Sequence, residues 1–354
     1  MKAPFPYFGG KAAIADLVWS RLGDTPNYVE PFFGSGAVLL ARPDDHCWWD
    51  RIETVNDKDG LVANFWRAVK HDPEAVAHWA DWPVNENDLH ARHAWLVSRK
   101  DSLQERLEGD PDYFDAKIAG WWVWGICIWI GSGWCSGEGP WKVVNGRLVK
   151  SNTDEGRGIH RQLPHLGNAG RGINRKLPHL GDAGRGINRK FLRVGHGQCA
   201  AWSQHIRNIV FRLCDRLRGV RICCGDWSRI VGPAPTYTHG VITSVFLDPP
   251  YSHAERDSDI YRMEMECADA VREWCIKNGD NPLLRIALCG YEGEHAMPDG
   301  WTAVRWTANG GYGNPGNGRG RTNKYRQVVW FSPHCLSPTN GEQFSLPLGQ
   351  LPPR

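Results

Sequence analysis

The chain has 354 residues and 41% hydrophobic composition, enough for a core and for one large domain or a domain plus an insertion. Its 42 Lys and Arg stand against 39 Asp and Glu, a net charge of +3, so no global field selects a partner and any nucleic-acid footprint must be local. Its 11 cysteines show no zinc-ligand spacing, and the N-terminal MKAPFPYFGGK carries no apolar signal-peptide run, which together predict a cytoplasmic protein with reduced, mostly buried thiols rather than a disulfide framework.

In chain order, Lys11–Leu22 places Ile14, Leu17 and Val18 at helical spacing. Tyr28–Glu30 reads as a strand, the stretch from Ser35 to Ala41 as a helix start, Glu53–Asn56 as a second strand and Asp59–Lys70 as a second helix. Strand, turn, helix, strand, helix opens a doubly wound α/β sheet. Pro73–Gly109 is helical and polar, and Tyr113–Ile130 is a Trp-heavy helix. The uncharged stretch from Ile118 to Gly137 imitates a membrane span, but five glycines interrupt it (120, 125, 131, 133, 137), so a buried helix followed by a glycine loop is expected. After Gly131 the chain turns Gly-rich and basic.

That stretch contains an internal repeat: RGIHRQLPHLGNAG (157–170), RGINRKLPHLGDAG (171–184) and RGINRKFLRVGHG (185–197) recur every 14 residues. Arg171, Arg175, Arg185 and Arg189 belong to it, and a surface contacting a nucleic-acid backbone competes here with a tolerated loop duplication. The α/β pattern then resumes. Ala200–Leu217 is a helix, Val220–Cys224 a strand ending at Gly225-Asp226, and Val241–Leu247 a strand ending at Asp248-Pro249-Pro250-Tyr251. Ile260–Lys277 is a helix, and Leu283–Leu288 and Gln327–Phe331 are strands. Residues 1–70 and 200–335 therefore form one discontinuous α/β domain, residues 71–199 an insertion, and 336–354 a Pro-rich tail. A second basic stretch, 309–326, holds Arg319, Arg321 and Lys324 on a glycine-rich loop suited to phosphate contact. Of the 19 Trp, most should be packing residues, with Trp134 and Trp141 as candidates to stack on DNA.

The chemistry concentrates at strand ends. Two prolines after a buried strand stop its ladder and stiffen the backbone where open α/β sheets place ligands. Asp248 and the Pro249 carbonyl are acceptors and Tyr251 is a stacking face, a set suited to an exocyclic amine on a planar base. Gly34 and Gly36, in Glu30-Pro31-Phe32-Phe33-Gly34-Ser35-Gly36, let backbone approach a ligand, and the following helix N-terminus favours negative charge. Asp57 follows the next strand, where an acid can hold ribose hydroxyls. Asp226 can accept from an adenine amino group, and Gly9-Gly10-Lys11 can place an ammonium on a ligand carboxylate.

Together, Tyr7-Phe8-Gly9-Gly10-Lys11, Glu30 to Gly36, Asn56-Asp57, Gly225-Asp226 and Asp248 to Tyr251 resemble the D12 class, Dam-like, of N6-adenine DNA methyltransferases, in the same order and over about residues 4–335. The resemblance implies a Rossmann-like methyltransferase sheet, S-adenosylmethionine as cofactor, double-stranded DNA as partner and no metal. It implies Tyr7, Gly9, Gly10, Lys11, Glu30, Pro31, Phe32, Gly34, Gly36, Asp57, Asp226 and Asp248 around the cofactor. Asp248, Pro249, Pro250 and Tyr251 would form the catalytic motif. DNA would bring the chain to the nucleoid of a bacterial or phage-infected cell. The Asn-Gly…Arg segment that touches DNA in the family has no counterpart in Gly131–Gly137, and the 14-residue repeats are foreign to the family pattern. Methylation of cytosine N4 or RNA adenine, a catalytically silent DNA-binding relative, and a nicotinamide oxidoreductase are the competing readings.

Overall fold

A computed structural model describes residues 1–7, 9–43, 51–129, 134–135, 141–144, 147–150, 197–237, 239–250, 259–307 and 326–337. The elements, in chain order, are α1 (Ala15–Leu22), β1 (Asn27–Glu30), α2 (Ala37–Leu40), β2 (Ile52–Asp57), α3 (Gly60–His71), α4 (Pro73–Ala80), α5 (Glu86–Val97), α6 (Lys100–Gly109) and α7 (Ala116–Ile128). They continue with β3 (Trp141–Val144), β4 (Arg147–Lys150), α8 (Gly197–Leu217), β5 (Val220–Cys224), a 3-10 turn (Trp227–Ile230), α9 (Pro233–Thr236) and β6 (Thr243–Leu247). The last are α10 (Asp259–Asn278), β7 (Leu284–Tyr291), β8 (Thr302–Trp306) and β9 (Gln327–Phe331).

Seven strands form one mixed sheet in the order β5-β2-β1-β6-β7-β9-β8. The five from β5 to β7 are parallel, and β9 runs antiparallel to both β7 and β8. The register sets Asn27 beside Ile52 on one side and Thr243 on the other. From β1 the chain winds first outward through β2 and β5, then jumps back to β6 and winds the other way. The topological switch point therefore lies between β1 and β6.

Both faces of the sheet are covered, which is why its central strands are continuous apolar runs rather than alternating ones. Tyr28, Val55, Phe246, Ala287 and Val329 point into one core, shared with α1, α2 and α3. Val29, Val245, Leu247, Ile286 and Leu288 point into the other, with Val271 and Cys275 of α10. The first core continues into the helices that follow α3: Val76 and Ala80 of α4, Leu103 and Leu107 of α6 and Trp122 of α7 all belong to it. Caps explain where these helices begin. Asp59 accepts from Leu61 N at 2.9 Å, Asp72 from Ala75 N at 3.0 Å ahead of Pro73, and Asp115 from Ile118 N at 2.8 Å.

The continuous helical reading of Pro73–Gly109 resolves into three helices, broken after Ala80 and again after Val97. The apolar stretch that imitates a membrane span begins as α7, 13 residues long and largely buried. No helix among the described residues is long and apolar enough to cross a membrane. β8, the 3-10 turn, α9 and the antiparallel pair β3–β4 add to the expected elements. The residues between β3 and β4 are Asn145-Gly146, the dipeptide most favoured in a two-residue hairpin. Nine cysteines, Cys127, Cys135, Cys214, Cys223, Cys224, Cys267, Cys275, Cys289 and Cys335, are free thiols.

Candidate functional site

The site is built where β1, β2, β5 and β6 end. Pro31 closes β1, and its carbonyl accepts from Asn56 Nδ2 at 3.1 Å, while the same nitrogen donates to Gly225 O at 2.9 Å. Phe33 N donates to Asn56 O at 2.9 Å and Gly225 N to Asp57 O at 3.2 Å. Buried Asn56, 1% exposed, thus ties three strand ends together. Its neighbour Asp57 attracted the sequence reading; the structural knot at Asn56 did not, because its partners are supplied by distant segments.

From that knot the chain enters Gly34 and Gly36, with φ of 48° and 65°. Both lie in the left-handed region, which favours glycine. Gly34 N donates to Asp57 Oδ2 at 2.8 Å, and Gly34 O accepts from Trp66 Nε1 at 2.9 Å. The Tyr7 ring lies on Gly34, so a Cβ there would sit 2.7 Å from Tyr7 Cε1. The helix after Gly36, α2, has only four residues, and the Gly34 N–H that precedes it is given to the Asp57 carboxyl.

Asp57 is half-buried and also accepts from Asp59 N at 2.9 Å. Burial, with the Asp59 charge adding, pushes its carboxyl up to about 7 against those two hydrogen bonds. Glu30 is 2% exposed and accepts from Tyr28 Oη at 2.8 Å. Burial pushes Glu30 well above the usual carboxyl range; the Tyr28 hydrogen bond opposes this, and the charges of Asp248 and Asp57 add to it. The same crowding raises the Tyr7 phenol: desolvation first, then the carboxylates of Asp57, Asp59 and Asp248, although 39% of the residue's surface stays exposed. Tyr7, Glu30, Asp57 and Asp248 are therefore neighbours in charge as well as in topology.

Asp248 follows β6, with Pro249 buried and Pro250 exposed behind it. Its Oδ2 lies 2.7 Å from Lys11 Nζ, which also donates to Gly9 O at 2.7 Å. Gly10 N closes the preceding turn on Tyr7 O at 3.2 Å. Asp226, beyond β5, is exposed and accepts from Ser228 N at 3.0 Å and Ser228 Oγ at 2.5 Å. These bonds from Ser228 hold its carboxyl below the usual range. Next to it, Trp227 stacks on Phe32 with centroids 6.2 Å apart and planes 26° apart. Trp227 went unnoticed in the sequence, since its partner is almost two hundred residues away. Asp226 and Asp248 stand three strand steps apart on one edge, about 14 Å at ordinary strand spacing. Acidic residues are thus spread along the edge rather than gathered at a point.

Several expected residues fall elsewhere. Tyr251, the repeat residues Arg171, Arg175, Arg185 and Arg189, and Arg319, Arg321 and Lys324 lie outside the described residues. Trp134, expected to be available to DNA, is instead engaged within the protein. Its Nε1 donates to Trp122 O at 3.1 Å and its ring packs on His93 and Trp129.

The donor set fits the expected cofactor. Asp57 retains acceptor capacity beyond its two backbone partners, since a carboxylate offers about four lone-pair sites. Gly34 and Tyr7 together shape a floor that any larger residue at 34 would disturb. Comparison with protein-family models and with curated proteins finds no match for this chain.

Proposed function

We propose that the chain is an S-adenosylmethionine-dependent DNA methyltransferase that modifies N6 of an adenine flipped from the duplex. One observation carries the reading. Tyr7 and Lys11, Gly34, Asp57 and Asp248-Pro249, spread over more than two hundred residues, converge at the carboxyl edge beside the β1–β6 switch point. Ligands of open α/β sheets bind at this place. The separation of Asp226 from Asp248 along that edge suits an elongated ligand with an adenosine at one end and a reactive group at the other. The antiparallel strand between β7 and β8 departs from the all-parallel dinucleotide-binding order and weighs against the oxidoreductase reading.

When bound, S-adenosylmethionine supplies an electrophilic methyl on sulfur. The chain's own residues supply position and polarity. Asp57 would take ribose hydroxyls, and Asp226, Phe32 and Trp227 the adenine end. Asp248 and the Pro249 carbonyl would accept the two N6–H bonds of the target, localising a lone pair that the ring otherwise delocalises. Asp248, already bonded to the amine, would be placed to accept the proton that N6 must lose once it carries the methyl group. Catalysis of this kind is mainly alignment and electrostatics. A base stacked within a duplex cannot present N6 to such a strand-end site, so extrusion is required.

The test is incubation of the full chain with duplex DNA and methyl-labelled cofactor, followed by nucleoside analysis. N6-methyladenine in the wild type and none in Asp248→Ala is expected. Label on cytosine would refute the adenine assignment, and undiminished methylation by Asp248→Ala would refute the catalytic one.

A further inference from the structure

The sequence offers the Lys11 ammonium to a ligand carboxylate, and the proposed function gives Asp248 to the target amine. In the structure they hold each other. The Nζ–Oδ2 distance is 2.7 Å, and the side chains are 5% and 21% exposed, so the pair is largely shielded from water. It joins segments 237 residues apart. Charge-assisted bonds of this length are roughly twice as strong as neutral ones, and burial limits their screening. Lys11 is aimed by its own turn, through Gly9 O at 2.7 Å, and so does not depend on Asp248 alone for its position.

We propose that the Lys11–Asp248 ion pair is a latch, in which the cofactor's carboxylate competes for Lys11 and thereby frees Asp248 to receive the base. The inference rests on the cofactor reading above. It makes binding ordered: cofactor first, target base second. Asp248 has one oxygen committed to an ammonium until a second anion arrives at Lys11. Glu30 sharpens the exchange. It lies within reach of the Asp248 charge, so a carboxylate released from Lys11 gains from turning toward amine donors.

The experiment measures binding of two thioether ligands to the full chain by calorimetry: S-adenosylhomocysteine, and methylthioadenosine, which lacks the amino-carboxylate end; neither carries a sulfonium charge. Asp248→Asn removes the competing charge with little change of shape, and Asp248→Ser serves as a second variant; thermal melts check that both fold. Both variants should bind S-adenosylhomocysteine about tenfold more tightly than wild type, the equivalent of one modest ion pair. Methylthioadenosine affinity should not change. Equal or weaker S-adenosylhomocysteine binding in the two folded variants, with wild type binding normally, overturns the latch and leaves the cofactor reading intact. A parallel gain for methylthioadenosine also overturns it, because the carboxylate would then not be the competitor. No binding of either ligand by wild type overturns the cofactor reading and the latch with it.

Discussion

Gly34 and Gly36 look alike in sequence, yet the structure predicts opposite consequences for replacing them with alanine. At Gly34 (φ 48°) the added Cβ meets Tyr7 Cε1 at 2.7 Å and Cδ1 at 2.9 Å. At Gly36 (φ 65°) it meets Phe33 Cζ at 2.8 Å and Trp66 Cζ2 at 3.2 Å. Each alanine in the left-handed region loses about 1–2 kcal/mol. What differs is the neighbour's freedom to yield. Tyr7 is 39% exposed and can swing outward, giving up its edge contact with Phe5. Phe33 and Trp66 are 3% and 0% exposed and have nowhere to go, so overpacking adds about 1–3 kcal/mol. Gly34→Ala should therefore melt only a few degrees below wild type while S-adenosylhomocysteine affinity falls at least about tenfold, since the displaced ring takes the ligand's place. Gly36→Ala should lose about twice as much stability. Thermal melts and calorimetric titration of both variants check this. Near-normal ligand affinity in Gly34→Ala would refute the cradle, and a smaller stability loss in Gly36→Ala than in Gly34→Ala would refute the packing argument.

Three further outcomes follow from charges held in unusual places. Asp57, pushed up to about 7, is protonated and a poorer acceptor below that pH, so cofactor affinity should rise from pH 5.5 to 7 by up to about tenfold per unit, and Asp57→Asn should flatten the dependence. Glu53 is 5% exposed and bridges Arg42 Nη1 at 2.9 Å and Arg216 Nη1 at 2.7 Å; Glu53→Ala leaves Arg216 without its acid and buried Arg42 with Asp24 alone, and should lower unfolding free energy by about 3 kcal/mol in urea titrations, with a loss under about 1 kcal/mol counting against the network. His93 is stacked on Trp129 at 4.9 Å, and burial, with His90 adding, pushes it down to about 4. The folded protein takes up this proton later than the unfolded chain. The contribution is thus full above the unfolded value near 6.5 and is lost as pH falls toward 4, a loss on the order of 3 kcal/mol that His93→Phe should abolish in denaturation series across that range.

The strands at the centre of the sheet were legible because burial on both faces imposes uninterrupted apolar runs. β5 and β9 match their expected bounds residue for residue, and β1, β2 and β6 differ by one or two residues at an end. β8 escaped because among its five residues only Trp306 is buried; an edge strand with one packed residue leaves almost no pattern. The polar helical stretch split because Asp81–Asn85 contains Trp82-Pro83, a break that was readable but outweighed by helical composition on both sides. Site residues at strand ends were legible for the same reason as the strands: the run stops, and glycine, proline or aspartate follows. Their partners were not. Asn56 fastening Pro31 to Gly225, Trp227 on Phe32, and Lys11 on Asp248 are tertiary facts that local spacing does not encode. One case was readable and passed over, because Asp226-Trp227-Ser228 is a short capping turn as well as a candidate ligand contact.

The two ends of the sheet treat the same residue types in opposite ways. At the amino edge, Glu53 has Arg42 and Arg216, and Asp24 has Arg42 and Arg51, both at 2.8 Å. Both of these acids are answered by guanidiniums, which is an arrangement for holding the fold. At the carboxyl edge Glu30, Asp57 and Asp248 face one another, and the ion pair found among them in the described residues is that of Lys11 with Asp248. Burial without matching cations is what raises the carboxyls of Glu30 and Asp57. Such an edge is relieved either by protons or by a ligand that brings positive charge. A dinucleotide would add the negative charge of its pyrophosphate to an edge already rich in acid, whereas a sulfonium beside these carboxylates would reduce the imbalance. On charge alone the proposed sulfonium ligand therefore suits this edge better than a dinucleotide, through residues, Glu30 above all, that no motif rule had weighted for charge.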